Sequence, residues 1–237
     1  MHVDGQRRSG DGFVVLIQWV AVWIAANFAA ALVIIVSGRS GTDAVDVPMW
    51  VTSLDVLVMW IVMVVAVVRL IPFETEPFVT GPRRWISATD IMAGVPLGVA
   101  CQLVLMNLVN WPLSRVFPDT FNFDRISQRA EDLGNSAPGA WKIALVLVVV
   151  VGAPLVEEYV YRGCLQSGLE RAWGSGAALL VTAVLFAGVH LSPVEYPGLF
   201  AFALVLGYAR RRTGTLGLSI ITHMAYNATG LLLVVLT

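Results

Sequence analysis

The sequence predicts an all-α membrane protein, a polytopic helical bundle of seven to eight spans. The first observation is composition: 57% of the 237 residues are hydrophobic and 13% are charged, whereas soluble domains have roughly 45–50% apolar and about 25% charged residues. The second is arrangement, because many apolar runs approach the roughly 20 residues that cross a bilayer core. A net charge of −1 with no long basic face argues against a nucleic-acid partner.

Seven apolar runs define the predicted helices. The first is too long for the hydrophobic region of a signal peptide, so we interpret it as a spanning helix. Tryptophans lie near several predicted ends, as they do at membrane interfaces. The predicted helices cover residues 13–36, 51–71, 86–111, 141–158, 177–190, 199–210 and 216–237.

Residues 112–140 form the longest polar stretch, which we interpret as an extramembrane connector with a short amphipathic helix near residues 123–133. It divides the chain into N-terminal membrane helices and a loop (1–140) and a catalytic helical core (141–237). Nothing in the first part requires chemistry. The active site is expected inside the bundle, within the second part.

Lysine and arginine counts predict that the N-terminus is cytoplasmic, with the protein in the cell membrane. Cytoplasmic segments of membrane proteins carry an excess of these residues. With seven spans, one side carries ten of them and the other side five. The ten are Arg7, Arg8, Arg69, Arg83, Arg84, Arg162, Arg171, Arg210, Arg211 and Arg212; the five are Arg39, Arg115, Arg125, Arg129 and Lys142.

The third predicted helix carries packing signals. Gly94 and Gly98 flank a proline and form a small-xxx-small surface for a neighbouring helix. Gln102, Asn107 and Asn110 are predicted to form hydrogen bonds between helices.

Two adjacent carboxylates, Glu157 and Glu158, end the fourth apolar run. Like charges at membrane depth are costly, so each needs compensation. Glu158 and Arg162 stand four residues apart on one helix face, and we expect them to form a structural ion pair. Glu157 points away and needs either a partner from another helix or a bound proton. Pro154, one turn earlier, should free a backbone carbonyl and kink the helix.

Two histidines lie in later apolar runs. His190 ends one run, and His223 stands four residues before Asn227, on the same helix face. Ionisable groups inside a membrane are candidates for function.

Three motifs, in this order, resemble the CPBP family of intramembrane proteases, also called the Abi or CAAX-protease family. They are Glu-Glu-x-x-x-Arg-Gly at 157–163, Phe-x-x-x-His at 186–190 and His-x-x-x-Asn at 223–227. The resemblance covers about residues 140–230. It implies an endopeptidase that acts on membrane-associated or prenylated CAAX proteins. By position it also implies that Glu157 and His190 activate the attacking water and that His223 and Asn227 stabilise the oxyanion.

The chemistry leaves alternatives open. The favoured mechanism requires no cofactor, but Glu157, His190 and His223 would also make a zinc ligand set, with Glu158 as a base. A non-proteolytic bacteriocin-immunity or binding protein could use the same fold. An ion-coupled transporter is a third possibility, although no inverted repeat is visible. The partners are the bilayer and a membrane-associated protein substrate, while the substrate's identity and the oligomeric state stay open.

One geometric condition accompanies the catalytic hypothesis. In a seven-span layout Glu157 and His223 lie nearer the inner side, whereas His190 ends a helix that approaches the outer side. At about 1.5 Å of rise per residue the difference could reach 10 Å. Helix tilt, the kink at Pro154, or insertion of residues 163–176 into the membrane would be needed to bring these side chains together.

Overall fold

The computed structural model describes residues 2–42, 46–70, 86–121, 139 and 141–236, without the side chains of residues 2–10 and 234–236. These residues are overwhelmingly helical and contain no strand, so the all-α prediction is confirmed. Seven helices are described: α1 (His2–Val36), α2 (Met49–Leu70), α3 (Ala88–Val116), α4 (Trp141–Trp173), α5 (Ser175–Gly188), α6 (Tyr196–Thr213) and α7 (Gly217–Leu236). The amphipathic helix predicted near residues 123–133 lies outside the described residues.

Four of these helices are long and apolar enough to cross a membrane: Asp11–Val36 within α1, and α2, α3 and α4. Helix α5 is apolar but has only 14 residues, about 21 Å at the α-helical rise, which is shorter than a bilayer core of roughly 30 Å. The helical membrane class is therefore shown, while seven to eight complete spans stay a prediction. Large apolar side chains such as Ile17, Phe28 and Leu108 are more than 60% exposed, as expected of surfaces that face lipid.

Helix α4 is longer than the sequence pattern predicted. We expected an end at Glu158, because charged residues follow the apolar run, but the helix continues to Trp173. The added turns stay helical because their polar side chains find partners inside the protein: Arg162 and Gln166 are fully buried, and each donates to a backbone carbonyl of α6. The charged residues that we interpreted as the end of a membrane-spanning segment therefore pack between helices.

Helix α1 begins at His2, eleven residues before the predicted start, and other predicted helix ends shift by a few residues. Helix α3 continues past Trp111 to Val116, and its internal Pro112 lies in the last turns, before Phe117 closes the helix. Helix α5 ends at Gly188, so His190 lies in the following turn and not on the helix as predicted. Helix α6 is longer than predicted at both ends.

The hydrophobic core forms where α1 and α2 pack against α4 and α5. Trp19 of α1 contacts Tyr161 of α4, with ring centroids 5.7 Å apart, and Tyr161 makes an edge contact with Phe186 of α5 at 5.2 Å. Val67 of α2 is fully buried in the same cluster. The N-terminal helices therefore support the helix that carries the paired glutamates.

Helices α3 and α7 pack at very short range because of two glycines. A β-carbon added to Gly94 would lie 2.7 Å from the Ile221 side chain, and one added to Gly98 would lie 2.7 Å from Ala225 Cβ and 2.8 Å from the backbone nitrogen of Tyr226. The predicted small-residue packing surface is confirmed, and its neighbour is α7. Close approach of backbones at small residues is typical of membrane helices.

The polar residues of α3 behave differently from one another. Asn107 is exposed, and its Nδ2 donates to the carbonyl of Leu103 in the same helix, so the predicted bond between helices is wrong for this residue. Gln102 and Asn110 line a cavity that also borders α4, α6 and α7. Gln102 lies within a π-helical segment, Cys101–Leu105, of the kind often found at functional sites.

Candidate active site

The predicted site residues come from three parts of the bundle. Glu157 and Glu158 lie in the middle of α4, His190 follows the end of α5, and His223 and Asn227 lie one turn apart on α7. The structure brings Glu157, Glu158 and His223 into one cluster. It places His190 and Asn227 on the wall of a common cavity.

The buried pair of Glu158 and Arg162 is present as predicted. Arg162 Nη1 donates to Glu158 Oε1 at 3.0 Å, and neither side chain is exposed. Arg162 Nη2 also donates to the carbonyl of Ala203 on α6 at 3.3 Å. A buried guanidinium needs such partners, because each uncompensated buried charge carries a large desolvation cost.

His223 lies between the two carboxylates of α4. Its Nδ1 is 2.9 Å from Glu158 Oε1, and its Nε2 is 3.9 Å from Glu157 Oε2. Arg162 holds Glu158 as a carboxylate, so His223 Nδ1 is the donor and its Nε2 faces Glu157. His223 is therefore the partner from another helix that Glu157 required. The contact between His223 and Glu158 had no signal in the sequence.

The π-helical register of α4 creates a bonding site for Asn227. Ala153 donates to the carbonyl of Val148, five residues earlier. Continued by one residue, that register would pair Val149 with Pro154, which has no N–H. The Val149 carbonyl accepts instead from Asn227 Nδ2 at 2.8 Å. The carbonyl that the proline was expected to free is thus bonded by a residue of the third motif, and one amide N–H of Asn227 remains for another acceptor.

His190 is oriented by the carbonyl of Phe186. That oxygen can only accept, so His190 Nδ1, 2.8 Å away, carries a proton, and in the neutral imidazole the lone pair is then on Nε2. Neutral imidazole in this form is suited to act as a base or a ligand.

The ring of Phe186 joins the parts of the site. Its centroid lies 5.1 Å from that of His190 and 5.9 Å from that of His223, while the Arg162 guanidinium lies 4.4 Å from the same ring centroid. The Phe186 ring therefore contacts both imidazoles, whereas the closeness of His190 to Glu157 stays a prediction. The phenylalanine of the second motif positions the ion pair and both imidazoles.

No group of three or more His, Cys, Asp or Glu side chains in the described part of the chain is placed to hold a metal ion. Glu157, His190 and His223, the alternative zinc set, are not gathered as such a group in this arrangement, and whether the protein uses zinc stays a prediction.

A second polar cluster, nearer the C-terminal end of α4, was not predicted from the sequence. Arg210 of α6 donates to Glu170 and, at 2.6 Å, to Ser167 Oγ. Gln166 bonds Glu170 at 3.1 Å and the carbonyl of Gly207 at 3.2 Å. The available signal was spacing: Glu158, Arg162, Gln166 and Glu170 follow one another at intervals of four. This polar ladder ties α4 to α6.

A cavity of about 330 Å³, bounded by α3, α4, α6 and α7, adjoins part of the site. His190, Asn227 and Val149 line it, together with the polar residues Asn110 and Glu195. Most of the remaining wall is apolar. Such a cavity, mostly apolar with a few polar groups, is typical of a binding site.

Comparison with known proteins identifies the part of the chain that contains this site. Residues 139–229 match the family model described as type II CAAX prenyl endopeptidase Rce1-like, and all three motifs lie within them. No curated protein matches the chain, and no solved structure does. The resemblance to the CPBP family is therefore confirmed over residues 139–229, the segment that matches its Rce1-like model.

Proposed function

We propose that this protein is an intramembrane endopeptidase that hydrolyses a peptide bond of a membrane-associated protein. The observation that carries the proposal is the pairing of Glu157 with His223, 3.9 Å apart inside an apolar bundle, beside a cavity lined by His190 and Asn227. A carboxylate and an imidazole at this spacing can both contact one water or substrate oxygen that lies to one side of the pair. The match to a family of prenyl endopeptidases supports the same chemistry.

The proposed reaction uses the four residues in two pairs. Glu157, with His190 as the second water-activating group, accepts a proton as water attacks the peptide carbonyl. With a proton on each ring nitrogen, His223 donates from Nδ1 to Glu158 and from Nε2 to the oxyanion that forms, and the remaining N–H of Asn227 is the second donor. The protonated Glu157 then returns the proton to the leaving amine. Donors fixed in advance around a developing charge are a major source of catalytic power.

The substrate class follows from the same match. We propose a protein with a prenylated CAAX end, because the matching model describes that activity and the largely apolar cavity suits a lipid-anchored segment. We further propose that the N-terminus lies in the cytoplasm, on the side that carries the larger number of arginines.

The test is cleavage of a membrane-tethered CAAX peptide, prenylated or not, by purified protein in lipid vesicles. Glu157→Gln should abolish cleavage, and His190→Ala should reduce it at least about 100-fold, the scale of losing one preorganised catalytic group. Asp119→Asn, a change at an exposed turn after α3, is the matched control and should retain full activity. Unchanged cleavage by Glu157→Gln would contradict the protease proposal and favour a non-proteolytic role.

Metal removal provides a separate prediction. Because the donors are not grouped for a metal ion, activity should survive exhaustive chelation. The measurement is the cleavage rate before and after chelation and after zinc is added back. An activity that disappears and returns with zinc would show that the side chains regroup around a metal in the working enzyme.

A further inference from the structure

The cavity beside the candidate active site is lined by three carboxamide side chains. Gln102 and Asn110 belong to α3, and Asn227 belongs to α7. Each carboxamide offers both donors and an acceptor, which complement the N–H and the carbonyl of a peptide main chain. Much of the remaining wall is apolar, and a main-chain N–H enclosed by apolar surface needs an acceptor. The lining is therefore suited to bind a peptide through its main chain.

Asn110 has an acceptor that the fold does not use. It is only 6% exposed, and its Oδ1 has no hydrogen-bond partner among the described residues. A β-carbon at Gly198 of α6, which lines the same cavity, would lie 3.8 Å from this oxygen. Buried amide oxygens are nearly always bonded. The last side-chain torsion of asparagine is broad, so a rotation of the amide can turn the oxygen toward a donor that occupies the cavity.

Gln102 places a second carboxamide against α7, close to the third motif. A β-carbon added to Gly230 would lie 3.5 Å from Gln102 Nε2, and Gly230 follows Asn227 by three residues, about one helical turn. Asn110 lies eight residues beyond Gln102 on α3, and Met106, midway between them, lines the same cavity. Eight residues of helix rise about 12 Å, which is the length of roughly three to four residues of extended peptide.

We propose that Asn110 is a substrate-binding residue that accepts a hydrogen bond from a main-chain N–H of the substrate, within about four residues of the cleaved bond. This inference rests on the proposed protease function and adds to it the way in which the peptide is aligned. The peptide lies extended along α3, between the level of Asn227 and that of Asn110. Recognition of an N–H does not depend on the side chains of the substrate.

The test uses membrane-tethered peptides in which single amide bonds, other than the cleaved one, are replaced by ester bonds. An ester keeps the carbonyl and removes the N–H. Wild-type protein should cleave one of these esters with a kcat/KM about five- to tenfold below that of the parent peptide, the scale of one hydrogen bond. Asn110→Leu should slow cleavage of the parent peptide by a similar factor. The variant should then cleave that ester as fast as the parent peptide, because the two changes remove the same interaction.

Asn107→Leu is the matched control. Asn107 lies on the same helix, but it is exposed and bonds the carbonyl of Leu103 within the helix. This variant should keep the wild-type difference between the ester and the parent peptide. Thermal unfolding reports whether each variant is folded, and Asn110→Ala replaces Asn110→Leu in the same comparison if the leucine variant does not fold.

Two results would overturn the subsite. In the first, wild-type protein cleaves every ester as fast as the parent peptide. In the second, Asn110→Leu slows the parent peptide and all esters equally, as expected of a residue that holds only a water molecule or supports the fold. If wild-type protein cleaves no peptide, the protease proposal fails, but the subsite is still tested by binding of the same labelled peptides. One ester must then bind more weakly than the parent peptide, and Asn110→Leu must abolish that difference.

Discussion

At the residue scale, the central feature is the setting of His223. Its Nδ1 bonds a buried carboxylate that is itself paired with Arg162, and its Nε2 faces Glu157. The two adjacent glutamates therefore have different roles. Glu158 is fully buried and fixes the imidazole, whereas Glu157 keeps 24% of its side chain exposed and can reach a reactant.

Replacing Glu158 separates these roles. Glu158→Gln should destabilise the protein by about 3–5 kcal/mol, because it leaves the buried Arg162 cation uncompensated. The double variant Glu158→Gln with Arg162→Met should recover much of that loss, since no unpaired charge remains. Activity should stay low in both variants, because the carboxylate that orients His223 is absent. Thermal unfolding in detergent micelles and peptide cleavage are the two measurements.

At the element scale, irregular helices and small residues place the site. The π register of α4 leaves the Val149 carbonyl for Asn227. This hydrogen bond fixes α7 against the π-helical part of α4. On the opposite face of α7, Gly94 and Gly98 of α3 allow direct backbone contact. Helix α7, with His223 and Asn227, is thus held from both sides.

Gly98 is the position where this packing is most sensitive. Gly98→Ala should destabilise the protein by about 1–3 kcal/mol, because the new methyl group meets the backbone of α7 and not a flexible side chain. Gly176→Ala is the matched control: a β-carbon there has open space, and the change should be neutral or slightly stabilising. Unfolding curves of the two variants that coincide would contradict the proposed tight contact.

At the scale of the whole molecule, the structure divides the charged residues into two groups. Arg162 and Arg210 form internal pairs with Glu158 and Glu170, so they stabilise contacts between helices rather than mark a membrane side. Removing them from the count leaves eight basic residues on the predicted inner side and five on the outer side. The bias still predicts a cytoplasmic N-terminus.

This orientation can be measured with two exposed serines. Ser40 lies between α1 and α2, and Ser175 is the first residue of α5, directly after the turn from α4. In sealed cells, Ser40→Cys should react with a membrane-impermeant thiol reagent, whereas Ser175→Cys should react only after the membrane is opened. The native Cys101 and Cys164 are free but buried and provide the background. The reverse labelling pattern would place the N-terminus outside.

The sequence by itself determined the helical membrane class, the glycine packing surface of α3 and the pairing of Glu158 with Arg162. Each depends on composition or on residues within a turn of one another, where helical periodicity fixes the neighbours. Periodicity could not show that α4 continues beyond Glu158, because burial of its polar ladder depends on α6.

Only the tertiary structure decided how the site is connected. His223 meets Glu158 across 65 positions of the chain, and Asn227 meets Val149 across 78. Packing of distant segments also brings the Phe186 ring into contact with both histidines. The same packing places Glu195 and Asn110 in the lining of one cavity. Such contacts are set by how α3, α5, α6 and α7 pack around α4, and no local pattern encodes that packing. The three motifs therefore identified the candidate side chains, and the packing of the bundle determined which of them face one another.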